Sequence, residues 1–170
     1  MVKSRNLTLA GVLIALGVVC SPFYIPLGAA KCFPVQHLVN VLAGVLLGPF
    51  YSVSMAFCTS FIRVMVGTGS LLAFPGSMAG ALLCGILYKY TGKTALALVG
   101  EVAGTGIIGS VIAAGLAVSF LSSQVAVFGF VVPFGISSLV GAVMALVLIR
   151  IFKKTGVIQY IKVEEKQNAI

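Results

Sequence analysis

Few side chains in this sequence can do chemistry, and they are unevenly placed. Of the three acidic residues, Glu164 and Glu165 sit in a polar tail, whereas Glu101 interrupts a long apolar run. An ionisable group in hydrocarbon is costly to hold, so it faces a cavity or a partner by default. Glu101 therefore either lines a solute site or locks the helices as an ion pair, with Arg63 the candidate partner. Arg63 has two open readings of its own: its guanidinium snorkels to an interface or donates several hydrogen bonds to a ligand. Gln36, His37 and Asn40 open another apolar run; His37 and Asn40, three apart, share a helical face and either line a pocket or hold helices together. Thr105 continues the face of Glu101 one turn on, and Ser137 and Ser138 interrupt the last apolar run. Each of these hydroxyls faces a solute or back-bonds to its own helix. Ser77 follows Phe74-Pro75-Gly76 at a helix start, where free amides also bind polar groups. Lys31 lies in a loop before Pro34.

These residues exclude several chemistries. His37 is the only histidine, and no second strong ligand stands at helical spacing from it, so no metal site is expected. Cys20, Cys32, Cys58 and Cys84 form no C-x-x-C pair and read as small packing residues. Gly104-Thr105-Gly106-Ile107-Ile108-Gly109 fits G-x-G-x-x-G formally but lacks the strand that a dinucleotide site needs. No phosphate-binding G-x-x-x-x-G-K-[ST] loop, Ser/His/acid set or H-E-x-x-H motif occurs. No cofactor is implied, and any ATP-driven work falls to a partner.

The elements that must position these groups follow from composition. The 170 residues are 60% hydrophobic and 8% charged, with mean hydropathy +1.18, too little polar residue to coat a soluble globule. At roughly 20 apolar residues per crossing there is room for about six helices. The expected segments are 7–27, 35–47, 52–66, 75–88, 94–121 and 127–151, with 1–154 a single membrane domain and 155–170 a polar cytoplasmic tail. The run from Ala95 to Phe120 is, Glu101 and a few hydroxyls aside, apolar on every face, unlike the alternation of a β-barrel strand. No A-x-A-like cleavage site closes the first run, so it is read as helix rather than a secretory signal.

Charge orients the bundle. Net charge is +8, but the basic residues cap apolar runs instead of interleaving with aromatics, which argues against nucleic acid. With both termini cytoplasmic, Lys3, Arg5, Lys89, Lys93, Arg150, Lys153, Lys154, Lys162 and Lys166 fall inside and only Lys31 falls outside. That arrangement turns Lys31 to Asn40 and Arg63 to Ser77 towards the outer face. It puts Glu101 nearer the cytoplasmic start of its helix, at a different depth from His37. Gly100, Gly104 and Gly109 with Ala113 fit close helix packing, and Gly11 with Ala15 gives the first helix a small face for packing or docking. No inverted repeat relates the two halves, which argues against a self-sufficient alternating-access transporter.

Five blocks carry a resemblance: 29–44 with Lys31, Gln36, His37 and Asn40; Leu47-Gly48-Pro49-Phe50-Tyr51; Arg63 with Gly67-Thr68-Gly69; Ala73-Phe74-Pro75-Gly76-Ser77; and Gly100-Glu101-Val102-Ala103-Gly104-Thr105-Gly106. Together they resemble ThiW, a family identified with the thiazole-specific substrate-binding subunit (S-component) of energy-coupling factor (ECF) transporters. The resemblance implies an all-α, six-helix bundle in the bacterial cell membrane that captures 4-methyl-5-(2-hydroxyethyl)thiazole near the outer face. It implies loop 28–34 as a lid, Gly11 and Ala15 as the dock for a transmembrane coupling subunit, and two ATPase subunits as the energy source. Phe74 would stack on the thiazole ring, His37 or Arg63 would donate to its nitrogen, and Asn40 or Glu101 would take the hydroxyl. Lys31, Gln36, Ser77, Thr105 and Ser137 complete the expected site, with Glu101 and Ser137 as its floor.

Other readings remain open on the residues alone. An S-component for hydroxymethylpyrimidine or thiamine needs the same architecture. A small membrane-embedded enzyme would use Glu101 and His37 as acid and base, and an oligomeric channel would conduct without partners.

Overall fold

The computed structural model describes residues 2–27, 30–121 and 128–159. Most of the polar tail, and Gly28 and Ala29 of the expected lid, lie outside them. The described chain runs α1 (Val2–Val19), β1 (Ile25–Leu27), β2 (Ala30–Cys32), α2 (Pro34–Leu46), α3 (Pro49–Met65), α4 (Ala73–Thr91), α5 (Thr94–Ala103), a π-helical turn (Gly104–Gly109), α6 (Ser110–Leu121) and α7 (Phe128–Lys154). Because α5, the π turn and α6 are contiguous, these elements make six helical rods. Two stretches, Thr94–Ser119 and Gly129–Lys154, are long and apolar enough to cross a membrane.

The first helix departs from expectation. It ends at Val19 rather than running to 27, because Pro22 lacks an amide hydrogen and disfavours helix at Ser21. The chain beyond turns into an antiparallel hairpin, with Ile25 opposite Cys32 and Pro26 opposite Lys31. The expected loop is therefore the second strand of that hairpin from Ala30 to Cys32. Other boundaries follow the punctuation: Pro34 and Pro49 open α2 and α3 where a missing amide costs nothing. Gly92, at φ 64°, ends α4 with its amide on the Tyr88 carbonyl.

Helix α2 is only 13 residues long, about 20 Å, and is buried along nearly its whole length. It is the central post of the bundle, packed against α3, α4 and α7. Polarity is distributed inside out. Gln36, His37, Asn40, Arg63, Ser77, Glu101 and Thr105 are buried, while Leu7, Phe50, Val99, Val118 and Leu139 are exposed. Water would not tolerate so large an apolar surface; this is the pattern of an all-α membrane protein.

Glycines bring α5 and its π turn against α4 backbone to backbone. A Cβ on Gly104 would lie 2.6 Å from the Ala79 carbonyl oxygen, and one on Gly109 would lie 2.5 Å from the Gly76 Cα. The expected role of Gly100, Gly104 and Gly109 in close packing is what these distances describe. The expected uninterrupted helix 94–121 instead carries a π turn over Gly-Thr-Gly-Ile-Ile-Gly. Two weak helix formers within three residues loosen the ladder there, and such π turns concentrate at functional sites.

Candidate functional site

The polar residues converge on one buried network. His37 Nδ1 lies 2.8 Å from Glu101 Oε1. The same oxygen accepts from Asn40 Nδ2 at 3.1 Å and from Thr105 Oγ1 at 3.4 Å. Asn40 Nδ2 also donates to the Ser77 carbonyl at 3.1 Å, and Thr105 Oγ1 to the Gly76 carbonyl at 3.1 Å. Since Glu101 Oε1 already accepts from Asn40, His37 Nδ1–H is best read as a third donor, which fixes the ring and leaves Nε2 as its free nitrogen. Glu101 is completely buried, and its Oε2 has no hydrogen-bond partner among the described residues. Leaving a buried carboxyl oxygen without a partner costs free energy.

A second limb runs through Arg63. Its Nη1 donates to Gln36 Oε1, its Nη2 donates to the Thr68 carbonyl at 3.3 Å, and its guanidinium lies 4.0 Å over the Phe33 ring. Gln36 Nε2 donates to Ser60 Oγ at 3.2 Å, and Ser60 meets Ser77 Oγ at 3.1 Å. The Arg63 side chain is 1% exposed, so it does not snorkel, and its partner is Gln36 rather than Glu101. The expected Arg63–Glu101 ion pair is replaced by His37–Glu101. The expected difference in depth between His37 and Glu101 is also wrong: α2 is short and sunk into the bundle, which brings its first turn level with Glu101.

Between the two limbs lies a partly open cavity of about 80 Å³. Lys31, Gln36, His37, Arg63, Ser77, Thr105 and Ser137 line it, together with Phe33, Ser70, Ala73, Gly76 and Phe134. Glu101, which Asn40 braces, is not among the lining residues and holds His37 from behind. Glu101 is thus a buttress of the cavity, not its floor. Phe74 does not line it; that ring packs edge-on against Phe57 at a centroid distance of 5.5 Å. Phe33 and Phe134 present the aromatic faces instead. Phe33 lies inside a block quoted for the resemblance but carries no polar signal, and nothing in the sequence marks Phe134.

The hairpin closes one side. The Phe33 amide donates to Ser137 Oγ at 2.8 Å, and Lys31 Nζ sits 4.5 Å over the Tyr24 ring at the rim. Ser137 therefore faces the site, whereas Ser138 back-bonds to the Gly135 carbonyl at 3.1 Å. Cys32 Sγ lies 3.5 Å from the Pro133 carbonyl, and burial pushes its thiol pKa up, away from reactivity. Among the described residues no cluster of His, Cys, Asp or Glu can hold a metal ion. Gly11 and Ala15 sit on an exposed face of α1, with no atom within 4 Å of a Cβ built on Gly11.

Such a site offers one imidazole nitrogen, a guanidinium, an amide, several hydroxyls and two aromatic rings, which is equipment for holding a small polar heterocycle. Neither the curated proteins nor the solved structures yield a match to the sequence. The family model of the thiamine-precursor transporter protein (ThiW) matches residues 7–155, and with them every residue that lines the cavity. The chain belongs to the ThiW family, a family of transporters for a precursor of thiamine.

Proposed function

We propose that this chain is the substrate-capturing S-component of an ECF-type transporter and that its solute is 4-methyl-5-(2-hydroxyethyl)thiazole. The observation that carries this reading is the polar cavity walled by His37, Arg63, Ser137, Phe33 and Phe134 inside an apolar-surfaced bundle. His37 Nε2, with Nδ1 held by Glu101, meets the ring nitrogen or the hydroxyl of the ligand. Phe33 and Phe134 take the faces of the thiazole. Ser77, Thr105 and Gln36 supply hydroxyl and amide partners for the hydroxyethyl arm, and Lys31 guards the rim.

The six rods cross the membrane, both termini are cytoplasmic, and the cavity opens outward; the asymmetry of Lys and Arg supports that orientation. Pockets for drug-sized ligands run to about 300–1,000 Å³, so a cavity of about 80 Å³ opens further to admit the solute. The hairpin, tied to α7 through Ser137, is the element that moves. Gly11 and Ala15 dock the transmembrane coupling subunit, and two ATPase subunits drive release.

The test is equilibrium binding to the purified full chain in nanodiscs, with the thiazole alcohol, hydroxymethylpyrimidine and thiamine side by side. Saturable binding of the thiazole alcohol ahead of the other two is expected, with no uptake into liposomes until the coupling and ATPase subunits are added. Failure to bind the thiazole alcohol overturns the substrate assignment, and flux without partners overturns the S-component assignment.

A further inference from the structure

The cavity at His37 is not the only concave feature. A larger groove of about 460 Å³ runs along the bundle between α5 with its π turn and α7. Leu98, Val102 and Ile107 form one wall and Leu139, Val143 and Leu146 the other. Gly106 and Gly135 meet at its base, where a Cβ on Gly106 would lie 3.2 Å from the Gly135 Cα. No lining side chain carries a polar atom. Both walls belong to the two stretches long and apolar enough to cross a membrane, so the groove faces hydrocarbon.

One end of this groove is strongly basic. Leu139, Leu146, Arg150 and Lys153 follow one stripe of α7 at helical spacing, as Thr94, Leu98 and Val102 do on α5. The stripes meet where Lys153 Nζ donates to Thr94 Oγ1 at 2.8 Å. Arg150, Lys153 and the neighbouring Lys93 are all exposed there, and no acidic residue of the described chain other than the buried Glu101 exists to neutralise them. From Leu146 to Val131 the groove spans about 22 Å of helix, deeper than the ~15 Å that one leaflet contributes to the hydrocarbon core.

An apolar slot at least one leaflet deep that ends in exposed basic side chains, with no exposed acid beside them among the described residues, is complementary to one molecule class. We propose that this groove holds one acyl chain of an anionic phospholipid whose headgroup rests on Arg150 and Lys153. Its Gly106–Gly135 base makes the slot deep enough for a chain to lie between the helices instead of across them. The lipid stabilises the α5–α7 contact next to the π turn that carries Thr105 and adjoins Glu101. The inference rests on the membrane location of the chain and is independent of which solute the His37 cavity takes.

Native mass spectrometry of the full chain, loaded with phosphatidylglycerol or with phosphatidylcholine of identical acyl chains, tests it. Wild type should retain one phosphatidylglycerol with roughly thirtyfold preference, as two basic side chains at a headgroup imply. Arg150→Gln with Lys153→Gln should abolish that preference while leaving weak retention of both lipids. Gly135→Leu, whose side chain has open space around its Cβ, should fill the slot and lose both. Equal retention of the two lipids by wild type, or undiminished phosphatidylglycerol retention by Gly135→Leu, overturns the proposal. The charge variant lies at the exposed helix end and keeps the test decisive if Gly135→Leu misfolds.

Discussion

His37 Nδ1 lies 2.8 Å from Glu101 Oε1, linking the first turn of the central helix to the only acid among the described residues. Through that bond a group that cannot reach the cavity determines how one that lines it presents its second nitrogen.

Replacing Glu101 separates orientation from stability. Glu101→Gln keeps an oxygen for Asn40 and His37, so the bundle should fold, but the imidazole loses its carboxyl anchor. Affinity for the thiazole alcohol should fall about tenfold, the equivalent of ~1.4 kcal/mol for a weakened hydrogen bond. Glu101→Ala removes the acceptor altogether and should cost ~1–3 kcal/mol of stability, as buried donors left without an acceptor do. Calorimetric titration and thermal unfolding in nanodiscs read the two effects. Equal damage from both variants would make Glu101 a lock and nothing more.

Gly80 should tolerate no side chain. A Cβ there would collide with Thr105 Oγ1 and lie 2.9 Å from Glu101 Cδ, so Gly80→Ala pushes on the carboxyl group that holds His37. A stability loss of ~1–3 kcal/mol from overpacking, with loss of solute binding, is expected in thermal shift and titration. Wild-type affinity in Gly80→Ala would show that the Glu101 geometry is not needed.

Arg63→Lys should not be conservative. One ammonium cannot serve Gln36 Oε1 and the Thr68 carbonyl in a fixed fork while stacking on Phe33. Binding should weaken by about tenfold or more, with Gln36 and the 67–70 turn both loosened in hydrogen exchange. Unchanged exchange at Thr68 would reduce Arg63 to a bystander.

Ser137→Ala removes the oxygen that receives the Phe33 amide at 2.8 Å. The hairpin loses the stronger of its two ties to α7, worth about 1 kcal/mol, so the solute should dissociate several-fold faster in stopped-flow measurements with little change in the melting temperature. A slower release would contradict the hairpin as the moving element.

Gly11→Leu tests the docking face. With nothing within 4 Å of its Cβ, the change should leave stability within about 0.5 kcal/mol and solute binding intact. Uptake by the reconstituted complex should nonetheless collapse, and normal uptake would remove Gly11 from the docking surface.

Much of this was legible in the chain. Composition alone required apolar helices, since 8% charged residues cannot coat a soluble surface, and proline and glycine fixed most helix ends. Burial of Gln36, His37, Asn40, Ser77, Glu101 and Thr105 follows from polar groups having no other refuge in an apolar bundle. Pairing was not legible. The sequence offered Arg63 as the partner of Glu101, and only the packing of the short α2 against α5 put His37 there instead. The aromatic wall was likewise decided in three dimensions: Phe33 and Phe134 are more than 100 positions apart and look like any other apolar residue, while Phe74, in a conspicuous motif, turns to Phe57. Sequence determined which groups must leave the hydrocarbon, because solvation depends on residue type; tertiary structure decided whom they meet, because a hydrogen bond depends on ångströms that no spacing along one helix specifies.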